Sequence, residues 1–176
     1  QTTRTLVNSS VTSKMDYCNS LLYGLDDLSL KPIQLCQNNA ARVITRQRKR
    51  DHITPALRKL HWLPVRQRIS YKTLLLTYKC RVGKGPKYLS DLLQTYVPGR
   101  PLRSQDQNLL KCPPKHRLNH YGGRAFVRAA PALWNKLPPH LREMWKVHTS
   151  DSDTIVKSIG QFKKGLKTHL FSSYFD

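Results

Sequence analysis

Asp51-His-Ile-Thr-Pro-Ala-Leu-Arg-Lys-Leu-His-Trp-Leu-Pro-Val-Arg-Gln-Arg-Ile-Ser-Tyr-Lys-Thr-Leu-Leu-Leu-Thr-Tyr-Lys-Cys80 is the stretch on which the fold turns. Thr54-Pro55 reads as a cap followed by a proline at the first helical position, opening a short helix through Leu60. Trp62, Leu63 and Pro64 end that helix and supply a core anchor. A longer helix then runs from Val65 to Cys80. Ile69, Leu75, Leu76 and Tyr78 are among its apolar members, and Arg66, Arg68, Lys72 and Lys79 leave on the other side.

Working towards the start of the chain, Val7, Val11, Met15, Cys18 and Leu22 recur at helical spacing, with Gly24 as a terminal cap. A second helix is expected from Ser29, with Pro32 in its first turn, and Ile33, Cys36, Ala40 and Val43 as its buried face. Towards the end of the chain, Gly83-Lys84-Gly85-Pro86 is a turn, and Tyr88, Leu89, Leu92 and Tyr96 mark a short helix. Prolines and glycines between Val97 and Gly123 break helical order, leaving Leu109 to Cys112 as one strand of a small hairpin. Arg124 to Trp134 is a helix interrupted by Pro131 and stopped by Pro138-Pro139. A polar loop at Thr149 to Asp153 caps a last helix striped by Ile155, Ile159, Phe162, Leu166 and Leu170.

The expected fold is mainly α: a bundle-like helical domain with a Pro/Gly-rich loop or small β-hairpin insert and a closing C-terminal helix. Three regions are expected: 1–96, basic and helical; 97–123, an irregular basic insert; and 124–176, helices packing on the first region. A chain of 176 residues buries roughly two-thirds of its unfolded surface and needs no disulfide staples. Cys18, Cys36, Cys80 and Cys112 include no CxxC pair, which suits scattered core thiols in a reducing compartment. The start at Gln1, without a signal-peptide pattern, reads as a piece cut from something longer. The apolar run at Leu74 to Leu76 falls far short of the ~20 residues of a membrane span.

Charge excludes more functions than it admits. The chain holds 31 Lys and Arg against 10 acids, net +21, and the excess sits in the middle. Residues 1–30 are net −1, residues 31–128 net +19 and residues 129–176 net +3. Like charges at this density oppose compaction unless a polyanion relieves them, and phosphate backbones do so with release of counterions. Arg42, Arg46, Arg48, Lys49, Arg50, Arg66, Arg68, Lys72, Arg117 and Arg124 are the candidate nucleic-acid contacts. Tyr71, Tyr88, Tyr96 and Tyr121 lie among the basic residues and offer stacking surfaces or, more commonly, core packing. With one Glu and nine Asp, paired-carboxylate chemistry has little to draw on. Asp26-Asp27 lack the strand context of a polymerase hairpin and read as cap or turn residues. Cys112, His116 and His120 are three ligand types in a short span with no fourth nearby, so no metal site is assigned. No catalytic residue, cofactor or small-molecule substrate is expected.

Several strings resemble the carboxyl-terminal part of non-LTR (LINE-type) retrotransposon polyproteins of the chicken-repeat and Jockey-like groups. They are Val11-Thr-Ser-Lys-Met-Asp-Tyr-Cys-Asn-Ser-Leu-Leu-Tyr-Gly24, Gln37-Asn-Asn-Ala-Ala-Arg-Val-Ile44, the segment Asp51 to Ile69, and Leu74-Leu-Leu-Thr-Tyr-Lys79. Tyr88-Leu-Ser-Asp-Leu-Leu93, Tyr121-Gly-Gly-Arg-Ala-Phe126, Ala130-Pro-Ala-Leu-Trp-Asn-Lys-Leu-Pro138 and Phe162-Lys-Lys-Gly-Leu-Lys-Thr-His-Leu-Phe171 follow in the family's order. The resemblance implies a region after the palm of an RNA-directed DNA polymerase (reverse transcriptase), whose Ala-Asp-Asp motif is expected upstream of Gln1. It implies template RNA or target DNA and the upstream polymerase domain as partners. It also implies an intracellular setting, nuclear and cytoplasmic, within a ribonucleoprotein, with no membrane. Two alternatives stand beside binding: a structural buttress of the polymerase thumb, or a decayed element copy without selected function. The long Met144 to Ile159 link and Gly123, where an acid is common, bear on the last.

Overall fold

The computed structural model describes residues 2–100, 107–114, 124–144 and 152–175. They are mainly helical, and no strand occurs among them. In chain order the helices are α1 Thr2–Val7, α2 Ser13–Asp16, α3 Asp27–Thr45, α4 Thr54–Leu60, α5 Val65–Arg81, α6 Lys87–Ser90, α7 Phe126–Trp134, α8 Pro139–Glu143 and α9 Ser152–Phe175. Two compact units form: Gln1–Ile69 with Leu170–Asp176, and Ser70–His169. The division therefore falls within α5 and near the end of α9. Both helices are continuous, and each carries side chains belonging to two separate cores.

In the first unit, Ala40, Ala41, Leu57, Leu60 and Trp62 form a buried cluster, with Val7, Val11, Ile44, Ile53 and Phe175 packed against it. Leu30, Val65 and Ile69 form a second cluster with Met15, Leu22, Tyr23, Leu25 and Ile33. The first expected helix is broken. A π-helical turn spans Asn8–Thr12, Tyr17 is extended, and Cys18 adopts a left-handed conformation before a 3-10 turn at Asn19–Leu22. The Ser9 hydroxyl donates to the Leu6 carbonyl at 3.0 Å and the Ser13 hydroxyl to the Ser9 carbonyl. Hydroxyls bonding back along the chain in this way compete with the helical ladder and loosen it. Cys18 is consequently exposed instead of completing the stripe, and Cys36 and Cys112 are exposed as well; Cys80 is the buried thiol.

α3 starts two residues earlier than expected, which places Pro32 in its second turn, where it removes one ladder bond. Its buried face is Leu30, Gln37, Ala40 and Ala41, while Val43 is 59% exposed and Cys36 is exposed. The rotation has a polar cause. Gln37 is buried, and its amide donates to the Leu63 carbonyl at 2.8 Å; the Gln34 carbonyl oxygen accepts from Val65 N at 2.9 Å. These bonds satisfy backbone groups at the α4–α5 junction that would be costly to leave unmet in the interior. Thr54 is the first residue of α4, not its cap, for Ile53 holds that position and no side chain caps the helix.

In the second unit the core is aromatic. Tyr78 and Phe162 stack with centroids 4.1 Å apart and planes 12° from parallel, and Trp134 lies 6.1 Å from Phe162 on centroids. All three are fully buried. The Tyr78 hydroxyl donates to the Met144 carbonyl at 2.9 Å. In place of the hairpin, an isolated antiparallel bridge joins Thr95 to Leu110, and the Asn135 amide holds both Leu110 backbone groups at 2.9 Å. The Pro131 interruption of α7 is accommodated within a single helix, with Pro131 buried.

Two glycines in α9 answer to different constraints. A β-carbon on Gly165 would lie 2.8 Å from Leu141 Cδ2, whereas one on Gly160 meets nothing within 4 Å. Leu141 is itself fully buried and has little room to yield. Gly160→Ala should raise stability by about 1 kcal/mol through helix propensity. Gly165→Ala should lower it by about 1–2 kcal/mol through overpacking. Urea midpoints of the two variants check this, and equal midpoints would show that α8 and α9 do not approach so closely.

Candidate nucleic-acid interface

The basic run begins where α3 ends. Arg46 closes the helix in a left-handed conformation, φ 54°, with its N–H and that of Gln47 both donating to the Arg42 carbonyl. The chain then folds back through Asp51. The Asp51 carboxylate accepts from the backbone N–H of Arg48 at 2.8 Å, the Asp51 N–H donates to the Arg48 carbonyl at 3.2 Å, and Arg42 Nη2 donates to the Asp51 carbonyl at 3.3 Å. The one acid in this loop thus binds main chain and forms no salt bridge with the side chains around it among the described residues. Arg46, Arg48, Lys49 and Arg50 are exposed, and no salt bridge engages them among the described residues.

α4 adds further cations to the same stretch of chain. Ala56, Leu57 and Leu60 face the core, so Arg58 and Lys59 are carried on the exposed side. Residues 42–61 then hold seven Lys and Arg against Asp51 alone. At this density along the chain, those charges that lie within a Debye length of about 8 Å reinforce one another in their action on a polyanion. Arg58 and Lys59 were not among the candidates drawn from sequence. The signal was present in the Ala56, Leu57, Leu60 spacing, which fixes the outward side of α4.

The other candidates are distributed differently. Arg66 Nη2 pairs with Asp27 Oδ1 at 2.5 Å and also donates to the Leu25 carbonyl. Arg68 Nη1 pairs with Asp16 Oδ1 at 2.6 Å, its Nε donates to the Leu63 carbonyl at 3.1 Å, and its side chain is 15% exposed. Both guanidinium groups tie the N-terminal segments to the start of α5. Lys72 is half-buried on the part of α5 that belongs to the second unit, and Arg124 is exposed ahead of α7. Arg117, His116, His120 and Tyr121 lie outside the described residues. Tyr71 is half-buried, while Tyr88 at 70% and Tyr96 at 38% are exposed in the second unit. Residues 42–61 contain no Phe, Tyr or Trp, so this surface meets phosphates and has no platform on which to stack bases.

Asp26 and Asp27 sit at the start of α3, the latter engaged by Arg66. Among the described residues no group of His, Cys, Asp and Glu is placed to hold a metal ion. Cys112 Sγ accepts from Asn135 Nδ2 at 3.7 Å. Burial pushes the Cys80 thiol above its ordinary pKa, which disfavours the reactive thiolate. No helix among the described residues is long and apolar enough to cross a membrane. No family model, curated protein or solved structure matches the chain.

Proposed function

We propose that the chain is the carboxyl-terminal part of a non-LTR retrotransposon reverse transcriptase, and that its first unit grips template RNA or target DNA by the phosphate backbone. Arg42, Arg46, Arg48, Lys49 and Arg50, extended by Arg58 and Lys59, carry the contact. The supporting observation is that the lone acid of this segment, Asp51, is turned onto the backbone of the loop. Arg46, Arg48, Lys49 and Arg50 are thereby left exposed, with no salt bridge to them among the described residues. Chemistry is assigned to residues outside this chain, and the role here is to hold and position. A gel-shift titration over a salt series tests the reading. Four or more phosphate contacts require log K to fall against log salt with a slope of about −3.6 or steeper on duplex DNA, and a flat dependence would remove it.

A second reading, the structural buttress, draws on exposed apolar side chains near the start of the chain. Leu6, Tyr17, Leu21 and Leu28 are each 61–80% exposed, and large exposed apolar groups gathered in one region mark covered surfaces. On this reading the isolated chain aggregates, and the same chain joined to its upstream polymerase sequence stays monodisperse in size-exclusion chromatography. Monodisperse behaviour without the upstream sequence would count against it.

A further inference from the structure

Within the first unit, α3 and the start of α5 leave between them a cavity of about 360 Å³. Leu30 and Val65, both buried, and Leu35, 49% exposed, form its apolar walls. The exposed Lys31 and the Asp27–Arg66 ion pair border it. The amides of Gln34 and Asn38 complete the lining.

The orientation of these amides follows from the backbone. Val65 N–H can only donate, so the Gln34 atom it meets at 2.9 Å is the oxygen. Gln34 Nε2 must then donate, and it reaches Gln37 Oε1 at 3.0 Å and Asn38 Oδ1 at 2.8 Å. The Leu63 carbonyl, which can only accept, fixes the Gln37 amide in the same sense. Asn38 therefore has its oxygen committed to Gln34. Its Nδ2, on the other branch of the amide, has no hydrogen-bond partner among the described residues. Asn38 is half-buried. An oriented donor on the wall of an apolar cavity is the pattern of a ligand site, in which apolar walls supply contact and a few fixed polar groups supply selection.

Lys31, Leu35, Asn38 and Arg42 recur every three or four residues and so share one stripe of α3. Arg42 lies about 6 Å along the axis beyond Asn38, at a rise of about 1.5 Å per residue. The cavity thus opens on the same side of the helix as the first cation of the basic run. An apolar side chain of another protein would leave the Asn38 donor unanswered and Lys31 idle. A second copy of the chain would set +21 against +21. A nucleotide answers every feature: its base packs on apolar walls, a base carbonyl accepts from the amide, and the flanking phosphates meet the charges of Lys31 and Arg42.

We propose that this cavity takes one unpaired, carbonyl-bearing base of a strand held by the phosphate grip of the first unit, the reading on which this inference rests. Bases stacked inside a duplex cannot enter it, so the site selects single strands.

The test uses the full chain with two probes of equal length, a thymidine homo-oligonucleotide and its abasic counterpart, titrated by fluorescence anisotropy at one salt concentration. One base packed on apolar walls should give the thymidine strand about a tenfold advantage, in the lower range of base-packing contributions. Asn38→Asp keeps an oxygen for Gln34 and removes the donor. Its added negative charge weakens both strands alike and cancels in the ratio of affinities, which should fall to near one. Leu35→Ala, at a half-exposed wall, should lower the ratio without altering abasic binding. A thermal melt of each variant checks that it stays folded. A ratio near one in the wild type overturns the proposal and leaves the cavity to a protein side chain. A wild-type preference that both variants retain overturns it as well, because the base would then be held elsewhere. Binding of neither strand removes both this site and the phosphate grip. Abasic binding with a steep salt slope and no base preference removes the site alone.

Discussion

Replacing Arg46, Arg48, Lys49 and Arg50 together with glutamine is expected to weaken nucleic-acid binding about a thousandfold near 0.15 M salt. Each duplex phosphate contact contributes about 0.9 to the slope of log K against log salt, roughly a fivefold gain per contact at that concentration, and four such gains multiply to roughly a thousand. The slope itself should flatten by about 3.6. Stability should hardly change, for the four side chains are exposed and no salt bridge among the described residues engages them. Gel shifts at several salt concentrations, paired with a thermal melt, separate the two effects. Unaltered affinity in a folded quadruple variant would move the binding surface elsewhere, whereas an equal loss on every sequence tested would fit contacts that position without reading bases.

Phe162→Ala carries the largest expected loss of stability, about 3–5 kcal/mol. The ring is fully buried between Tyr78 and Trp134, and removing it opens a cavity and abolishes two aromatic contacts at once. A domain holds only about 5–15 kcal/mol in total, so the variant should melt roughly 10 °C or more below wild type. Phe162→Leu, which keeps most of the volume, should recover much of that difference. Similar melting temperatures for the alanine variant and the wild type would mean that the second unit is not organised around this stack. The measurement is a denaturation curve followed by Trp fluorescence, since Trp134 lies beside the altered site.

How far the sequence foretold these sites depends on how local each signal is. The junction at Thr54 to Val65 was readable because proline placement and the Trp62-Leu63-Pro64 anchor act within a few residues. α5, expected to end at Cys80, ends at Arg81. The break at Tyr17 and Cys18 was not readable, because the apolar spacing continues through it and the hydroxyls that loosen the helix look like ordinary polar surface. The face of α3 was misjudged because Gln37, a polar residue, occupies a core position; its partner, the Leu63 carbonyl, is distant along the chain. The same distance hid the carboxylates of Asp16 and Asp27 that engage Arg68 and Arg66. The loop from Arg46 to Arg50 stood out because nothing nearby in sequence could neutralise it, and Asp51, the one candidate, is bonded to backbone.

Gln37 has a bearing that reaches well beyond its own surroundings. An amide fastened inside an apolar interface acts as a key in a keyway: turning α3 about its axis would strand that amide without a partner, so one angular setting is enforced. The same rod ends in Arg42 and Arg46, and its setting dictates the compass bearing of the cationic loop that follows. An uncharged residue sealed away from solvent thereby aims the most highly charged part of the molecule.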